Sequence, residues 1–321
     1  MLTRRTFVGS SLALAAATPT SHAWAKAAQP KTPVAFEVPA NACDCHTHIH
    51  GPVEQFPWFP GRVYTPELAL PEEMAELHAK LGVKRVVIVT PSVYGTDNSA
   101  TLWGMKARGN DARGVAVIGE KTSEADLDAM HAAGVRGIRI NLTTGGTNDP
   151  AVARQRFQTG VDRVKTRGWH VQIYTNLAMI AELKDAIAAA PVPVVFDHFG
   201  GTKAALGPEQ PHFADLLALL KTGKVYVKIS APYRISTKEP DYADAAPLAR
   251  AFIETNADRL LWGTDWPHPH SSPLPGKQVS DVTPLYQIDD GLVLNQLAVW
   301  APDAGVRRKI LVDNPARLYQ F

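Results

Sequence analysis

From residue 41 onward, short runs rich in β-branched residues alternate with segments that start and stop as helices do, and the alternation is completed eight times. The runs are residues 42–48, 83–90, 114–119, 135–141, 170–175, 192–199, 225–230 and 260–266. Between them, PEEMAELHAKLG opens with Pro71 and two acids and stops at Gly82, and SEADLDAMHAAG runs from a Ser123 cap to Gly134. NLAMIAELKDAIAAAP, from Asn176 to Pro191, follows the same grammar. Such alternation builds a parallel sheet crossed by helices. Eight units predict an α/β fold of the (β/α)8 type, a single-domain TIM barrel over residues 41–321. The competing architecture, an open doubly wound sheet, lacks its GxGxxG turn after the first run. A chain of 321 residues, 45% hydrophobic, can bury the one large core that a barrel needs.

Residues 1–27 read differently. A paired arginine, Arg4 and Arg5, precedes an apolar run from Val8 to Ala17, and small residues follow around Ala23 to Ala27. This is the pattern of a cleaved twin-arginine export signal, and the run is too short for the ~20 apolar residues of a spanning helix. Residues 28–40 are expected to be a linker, and the mature chain is expected in the periplasm. Removing residues 1–27 takes away Arg4, Arg5 and Lys26, which leaves 30 basic against 31 acidic residues. No basic run remains to suggest nucleic acid or, once the signal is cleaved, a membrane surface as partner.

Side chains alternate faces along a strand. In residues 225–230, Val225, Val227 and Ile229 share one face and should meet helices, while Tyr226, Lys228 and Ser230 face the barrel interior. The same parity turns His46, His48, Thr90, Arg139, Asn141, Gln172, Tyr174, His198 and Asp265 inward, mostly at carboxyl ends of strands, where barrels keep their active sites. It turns Cys43, Cys45 and Thr47 outward, so the thiols are expected under helices, too far apart for an easy disulfide. The segments 51–66 and 267–284, rich in Pro, Gly and Ser, are expected as long loops walling the pocket. His78 and His131 lie in helical patterns and read as surface or packing residues, and His50 follows the HxH pair at the strand exit.

The ordered series CHTHIHGP, FPWFPGRVYTPE, GTDN, AAGVRGIRIN, FDHFGG, VKISAPYR, GTDWPHP and VDNPARLYQF resembles the amidohydrolase superfamily, in particular its 2-pyrone-4,6-dicarboxylate lactonase-like branch. The resemblance covers nearly all of the chain after the signal. It implies a catalytic set of His46, His48, His198 and Asp265. Metal-dependent relatives complete their site with a histidine on the fifth strand, where this chain reads HVQIYTN, with Gln172 and Tyr174 at the inward positions and His170 at the wrong end. The resemblance therefore implies hydrolysis without a metal cofactor; if Zn²⁺ is bound, His46, His48 and Asp265 would hold it, with water in the fourth place.

The expected chemistry is opening of a carboxylated lactone. Asp265 would act as general base toward water, and the three imidazoles would stabilise the oxyanion. An arginine fork suits a carboxylate, which makes Arg139 and Arg234 candidates for binding an anionic lactone or organic acid. Lys228, His268 and His270 are expected near the same rim. The resemblance assigns substrate carboxylates to Arg139, Tyr174 and Arg234, and Asn141 belongs to the same wall. It departs at LTTGGTNDP, which lacks the arginine a dicarboxylate binder would carry there, so a monocarboxylate, a sulfonated muconolactone or an aldarate lactone fits as well. Three other readings stand beside lactone hydrolysis: a Zn²⁺-dependent decarboxylase or hydratase, a lactone isomerase, and a periplasmic binding protein.

Overall fold

The computed structural model describes residues 27–144 and 148–321. Most of the expected export signal, residues 1–26, lies outside them, as do residues 145–147 in the loop that lacks the expected arginine. Eight parallel strands form the barrel: β1 (Cys43–Thr47), β2 (Arg85–Val89), β3 (Ala112–Ala116), β4 (Val135–Asn141), β5 (His170–Tyr174), β6 (Val194–Phe196), β7 (Val225–Lys228) and β8 (Leu260–Leu261). Each pairs with its successor in sequence order. The outer layer includes α1 (Pro71–Leu81), α2 (Ser99–Arg108), α3 (Glu124–Ala132), α4 (Pro150–Val164), α5 (Leu177–Ala189), α6 (Phe213–Lys221), α7 (Ala246–Asn256) and α8 (Asp290–Trp300). Helix starts follow the chemistry of their caps. Ser123 accepts from Asp126 N in a capping box at α3, and Asn176 accepts from Met179 N at α5. Among the described residues, no helix is long and apolar enough to cross a membrane.

The core is in two shells. Val86, Ile88, Val225, Val227 and Ile229 belong to the large cluster between sheet and helices. Val87, Val89, Val115, Val195, Tyr226 and Leu261 fill the barrel itself, closed below by Leu318 and Tyr319. On β2, Thr90, expected inward, shares the helix-facing parity of Val86 and Ile88 and meets Thr101 Oγ1 of α2 (2.8 Å); parity sorts β7 as the sequence predicts.

It fails at β1. Cys43 and Cys45 lie in the inner cluster, not under helices, and both are free buried thiols. The cause is a break in register between Asp44 and Thr47, a bulge that lets Cys45 and the following His46 both face inward. The bulge sits where the barrel closes. There Cys45 N donates to Trp262 O (2.9 Å), Asp265 N to His46 O (2.8 Å) and His48 N to Trp266 O (2.8 Å) in place of a regular ladder. Asp44, turned outward, fastens this seam: Oδ1 accepts from His46 N (3.1 Å) and Thr264 N (3.0 Å), and Oδ2 accepts from Thr264 Oγ1 (2.6 Å) and meets His78 Nε2 of α1 (3.2 Å).

Two strands are shorter than the sequence suggests. β6 stops at Phe196 and β8 at Leu261 because the chain leaves extended geometry before its functional side chains: φ is +47° at His198 and +66° at Asp265. The loops over residues 51–66 and 267–284 join across the mouth, where Thr65 and Pro66 pair with Val282 and Thr283. Residues 27–40 pack on the barrel. Trp266 Nε1 donates to Ala28 O (3.2 Å), and Thr32 Oγ1 donates to Asp289 Oδ2 (2.6 Å) beside α8.

Candidate active site

Four side chains expected at the carboxyl ends of strands converge. The Oδ1 atom of Asp265 lies 3.3 Å from His48 Nε2, 3.5 Å from His46 Nε2 and 3.8 Å from His198 Nε2. All four residues are buried. Oδ2 is committed elsewhere, accepting from Tyr233 OH (2.6 Å) and from Arg234 Nε. Asp265 Oδ1 and His46 Nε2 have no hydrogen-bond partner, which leaves both able to contact a ligand. Positive φ at Asp265 and His198 is strained for residues with a Cβ, and such strain collects at functional sites.

A second carboxylate, Asp197, lies behind the first and was not singled out by parity. Its Oδ2 accepts from Arg139 Nε and Gln172 Nε2 (both 3.1 Å), and its Oδ1 stands 3.2 Å from His46 Nδ1 and 3.5 Å from Lys228 Nζ. Alternation along residues 192–199 would place Asp197 opposite His198, but the strand ends at Phe196 and the turn brings both inward. An aspartate closing an otherwise apolar run was the available signal. Tyr233 was missed for a similar reason: its role depends on the turn after β7.

Charge states follow from these contacts. Burial alone would raise the Asp265 carboxyl, but the adjacent Arg234 guanidinium holds it well below the usual carboxylate range. Burial opposes ionisation of Asp197 too, and the positive charges of Lys228 and Arg139 overcome it. Burial, followed by Lys228, pushes His46 down to about 3, and burial also lowers His198 well below the ordinary histidine value. Burial lowers Lys228, and Asp197 beside it opposes the shift; with Lys228 charged, the site holds two carboxylates and three cations, Arg139, Lys228 and Arg234, around neutral His46 and His198.

Other expected site residues are placed as follows. Arg139 stacks over the Tyr174 ring (5.2 Å), and Tyr174 meets the His198 ring edge-on (5.2 Å). Arg234 stacks over Tyr233 (5.1 Å), and its Nη2 donates to Pro269 O (3.1 Å). Asn141 lines the adjoining cavity, but its Oδ1 accepts from Thr143 N (3.0 Å) and Thr144 N (2.8 Å), so it shapes the loop after β4. Lys228 is not at the rim: it is fully buried, donating to Gln172 Oε1 (2.6 Å) and lying 3.2 Å from His46 Nδ1. His268 is also absent from the rim, paired with Asp290 (2.9 Å) in the interior, while His270 stacks on Tyr286 (3.6 Å). His50 is buried against Glu67 O (3.0 Å), and His78 packs on Asp44. A cavity of about 680 Å³ is bounded by Thr90, Ile118, Arg139 and Asn141 at the ends of β2–β4 and by Thr159 of α4; Arg139 links it to the converging set through Asp197, and none of His46, His48, His198 and Asp265 lines it.

The donor set can be tested against a metal. His46, His48 and Asp265 form one group able to hold an ion, and His46, Asp197 and His198 form another. In the first, the two imidazole-to-carboxylate spacings of 3.3 and 3.5 Å are close to the roughly 3.3 Å between donors of a tetrahedral zinc site with ~2.05 Å bonds, and all three donors lie within 4.8 Å of one another. In donor type and spacing the residues fit Zn²⁺.

A (β/α)8 barrel with a buried aspartate and three imidazoles at the carboxyl ends of its strands is the scaffold of a hydrolase. The comparisons agree: the family described as Amidohydrolase matches residues 43–321, and the chain belongs to it. It is 37% identical to a 2-pyrone-4,6-dicarboxylate hydrolase of Comamonas testosteroni, over 88% of this chain and 92% of that one. It is 34% identical to a 4-sulfomuconolactone hydrolase of Rhizobium radiobacter, over 89% and 92%. A solved apo structure from Agrobacterium tumefaciens superposes with a TM-score of 0.76 at 26% identity, over 91% of this chain and 98% of that one.

Proposed function

We propose that this protein hydrolyses a carboxylated lactone, with Asp265 as general base and without a metal. The observation that carries the reading is the open Oδ1 of Asp265 beneath three imidazole Nε2 atoms. Water held there gives its proton to Oδ1 as its oxygen bonds to the lactone carbonyl carbon. Negative charge forms on the carbonyl oxygen, where imidazole N–H donors stabilise it. Collapse breaks the ring C–O bond, and the departing oxygen recovers the proton from Asp265, giving an open-chain acid.

The excess of one positive charge in the site favours an anionic substrate. Arg139 lines the cavity and pairs with Asp197, and an anion near Arg234 would also raise the basicity of Asp265 by sharing its guanidinium. The two hydrolase relatives, named for a pyrone dicarboxylate and a sulfomuconolactone, support this substrate class. Incubating the protein with a panel of carboxylated lactones in ¹⁸O-water tests the reading. One labelled oxygen in the new carboxylate is expected; unlabelled, rearranged lactone would make it an isomerase, and unchanged lactone throughout would overturn the enzymatic reading.

The near-tetrahedral spacing of His46, His48 and Asp265 favours a second reading, a Zn²⁺-dependent hydrolase, decarboxylase or hydratase. Those three residues would hold the ion, which when bound polarises a carbonyl and acidifies water. Against this reading, Lys228 and Arg234 press positive charge on two of the three ligands, and the end of β5 supplies Tyr174 where a further histidine would stand. Export to the periplasm is proposed from the paired-arginine segment alone, and a cleaved amino terminus in periplasmic extracts is its test.

A further inference from the structure

Each imidazole of the site has one nitrogen facing Asp265 Oδ1, and the partner of the other nitrogen decides what the first can do. His48 Nδ1 lies 2.7 Å from Val89 O, a carbonyl that can only accept; Nδ1 therefore carries hydrogen. A neutral His48 then points a lone pair at the centre. His46 is built the other way. Its Nδ1 faces the Lys228 ammonium at 3.2 Å, and Lys228 has no acceptor role to offer. Asp197 Oδ1 is equally near at 3.2 Å, but it makes no hydrogen bond with the ring.

Two arrangements compete. With hydrogen on Nε2, Nδ1 accepts from Lys228 and Nε2–H is turned toward the carboxylate oxygen of Asp265. With hydrogen on Nδ1, an N–H confronts an ammonium and a lone pair confronts a carboxylate. The first is complementary at both ends; the second sets a lone pair against Asp265 and an N–H against the ammonium, with only Asp197 Oδ1 at 3.2 Å to offset it. A metal ligand needs the second.

We propose that Lys228 is a positioning residue that locks His46 in the Nε2–H tautomer, making it a hydrogen-bond donor to the reacting oxygen and a poor metal ligand. The inference deepens the metal-free reading of the same site. Gln172 holds the ammonium in place through its 2.6 Å contact, and Arg139 keeps Asp197 paired so that the carboxylate does not draw the lysine away. Without Lys228, His46 Nδ1 would be free to turn its hydrogen to Asp197 and offer Nε2 to a cation.

The test is ¹⁵N NMR of histidine-labelled full-length protein, with His46 assigned by comparison with His46→Gln, together with calorimetric titration of Zn²⁺. The wild type is expected to show the Nε2–H tautomer at His46. Lys228→Met is expected to shift it to Nδ1–H and to bind Zn²⁺ at least tenfold more tightly. A wild-type His46 in the Nδ1–H form overturns the proposal without any variant. So does a folded Lys228→Met protein with unchanged tautomer and Zn²⁺ affinity. Lactonase activity is read separately: the lock can stand in a protein that opens no lactone, and a metal-free lactonase can lack it.

Discussion

Two aspartates flank the seam where the barrel closes, both fully buried, yet they are used in opposite ways. Asp44 has four donors on its two oxygens, from the backbone and hydroxyl of Thr264, the backbone of His46 and the ring of His78. Asp265 has two donors on Oδ2, while Oδ1 faces three imidazole nitrogens without a hydrogen bond. A saturated carboxylate holds the fold, and one saturated on a single side holds itself still and leaves the other oxygen for a reactant. Under the proposed mechanism the same chemistry serves structure on the outer face of β1 and catalysis inside.

Asp265→Asn should lower turnover at least about 10³-fold while thermal stability shifts by only a few degrees, because the amide keeps the packing and removes the base. Steady-state kinetics and a thermal melt check both halves; near-normal turnover breaks the contrast. Asp44→Ala should do the reverse to the fold, costing about 3–5 kcal/mol in urea denaturation because it strands buried donors at the seam. A loss under 1 kcal/mol would show that the seam does not depend on it.

Arg139→Met should raise KM for an anionic substrate about 10- to 100-fold with a smaller change in kcat, if the arginine binds ground state and transition state alike. The same variant assayed on an uncharged lactone should keep its KM, and the fall in kcat, which reports release of Asp197 from Arg139, should be the same on both substrates.

Acid should separate the folded state into two phases. His46, His50 and His170 are each lowered to about 3, burial being the first cause. The unfolded chain therefore binds protons at these sites from pH 6.5 downward while the folded chain does not. Stability falls as pH drops through that window, by up to about 1.4 kcal/mol per pH unit for each group. Asp265 and Asp197, held low when folded, add a further loss below about pH 4. Urea midpoints measured from pH 7 to 4 check the first phase, and a flat profile would contradict it.

Much of this was legible in the sequence, for identifiable reasons. Eight strand and helix units follow from local periodicity, and the local grammar of Ser123 and Asn176 set the helix starts. His46, His48, His198 and Asp265 were expected inward from alternation and were grouped by the resemblance, and the structure brings them together. The reasons were only partly right. His198 and Asp265 face inward through left-handed turns that side-chain alternation does not encode. The β1 bulge likewise has no period to read, so the cysteines were turned to the wrong face. Asp197, Arg139, Gln172 and Lys228 come from four different strands or their ends, and their network exists only once the barrel brings them together. That is why Lys228 was expected at the rim and is found beneath the imidazoles.

The central claim, that Asp265 opens a carboxylated lactone without a metal, is tested most directly by measuring metal content and activity on one sample. Protein purified without added metal would be analysed by elemental mass spectrometry and assayed for acid release from carboxylated lactones before and after chelation. The account predicts hydrolysis with far less than one metal ion per chain and no loss on chelation. One tightly held Zn²⁺ per chain, removed together with the activity, would contradict it and make His46, His48 and Asp265 a metal site.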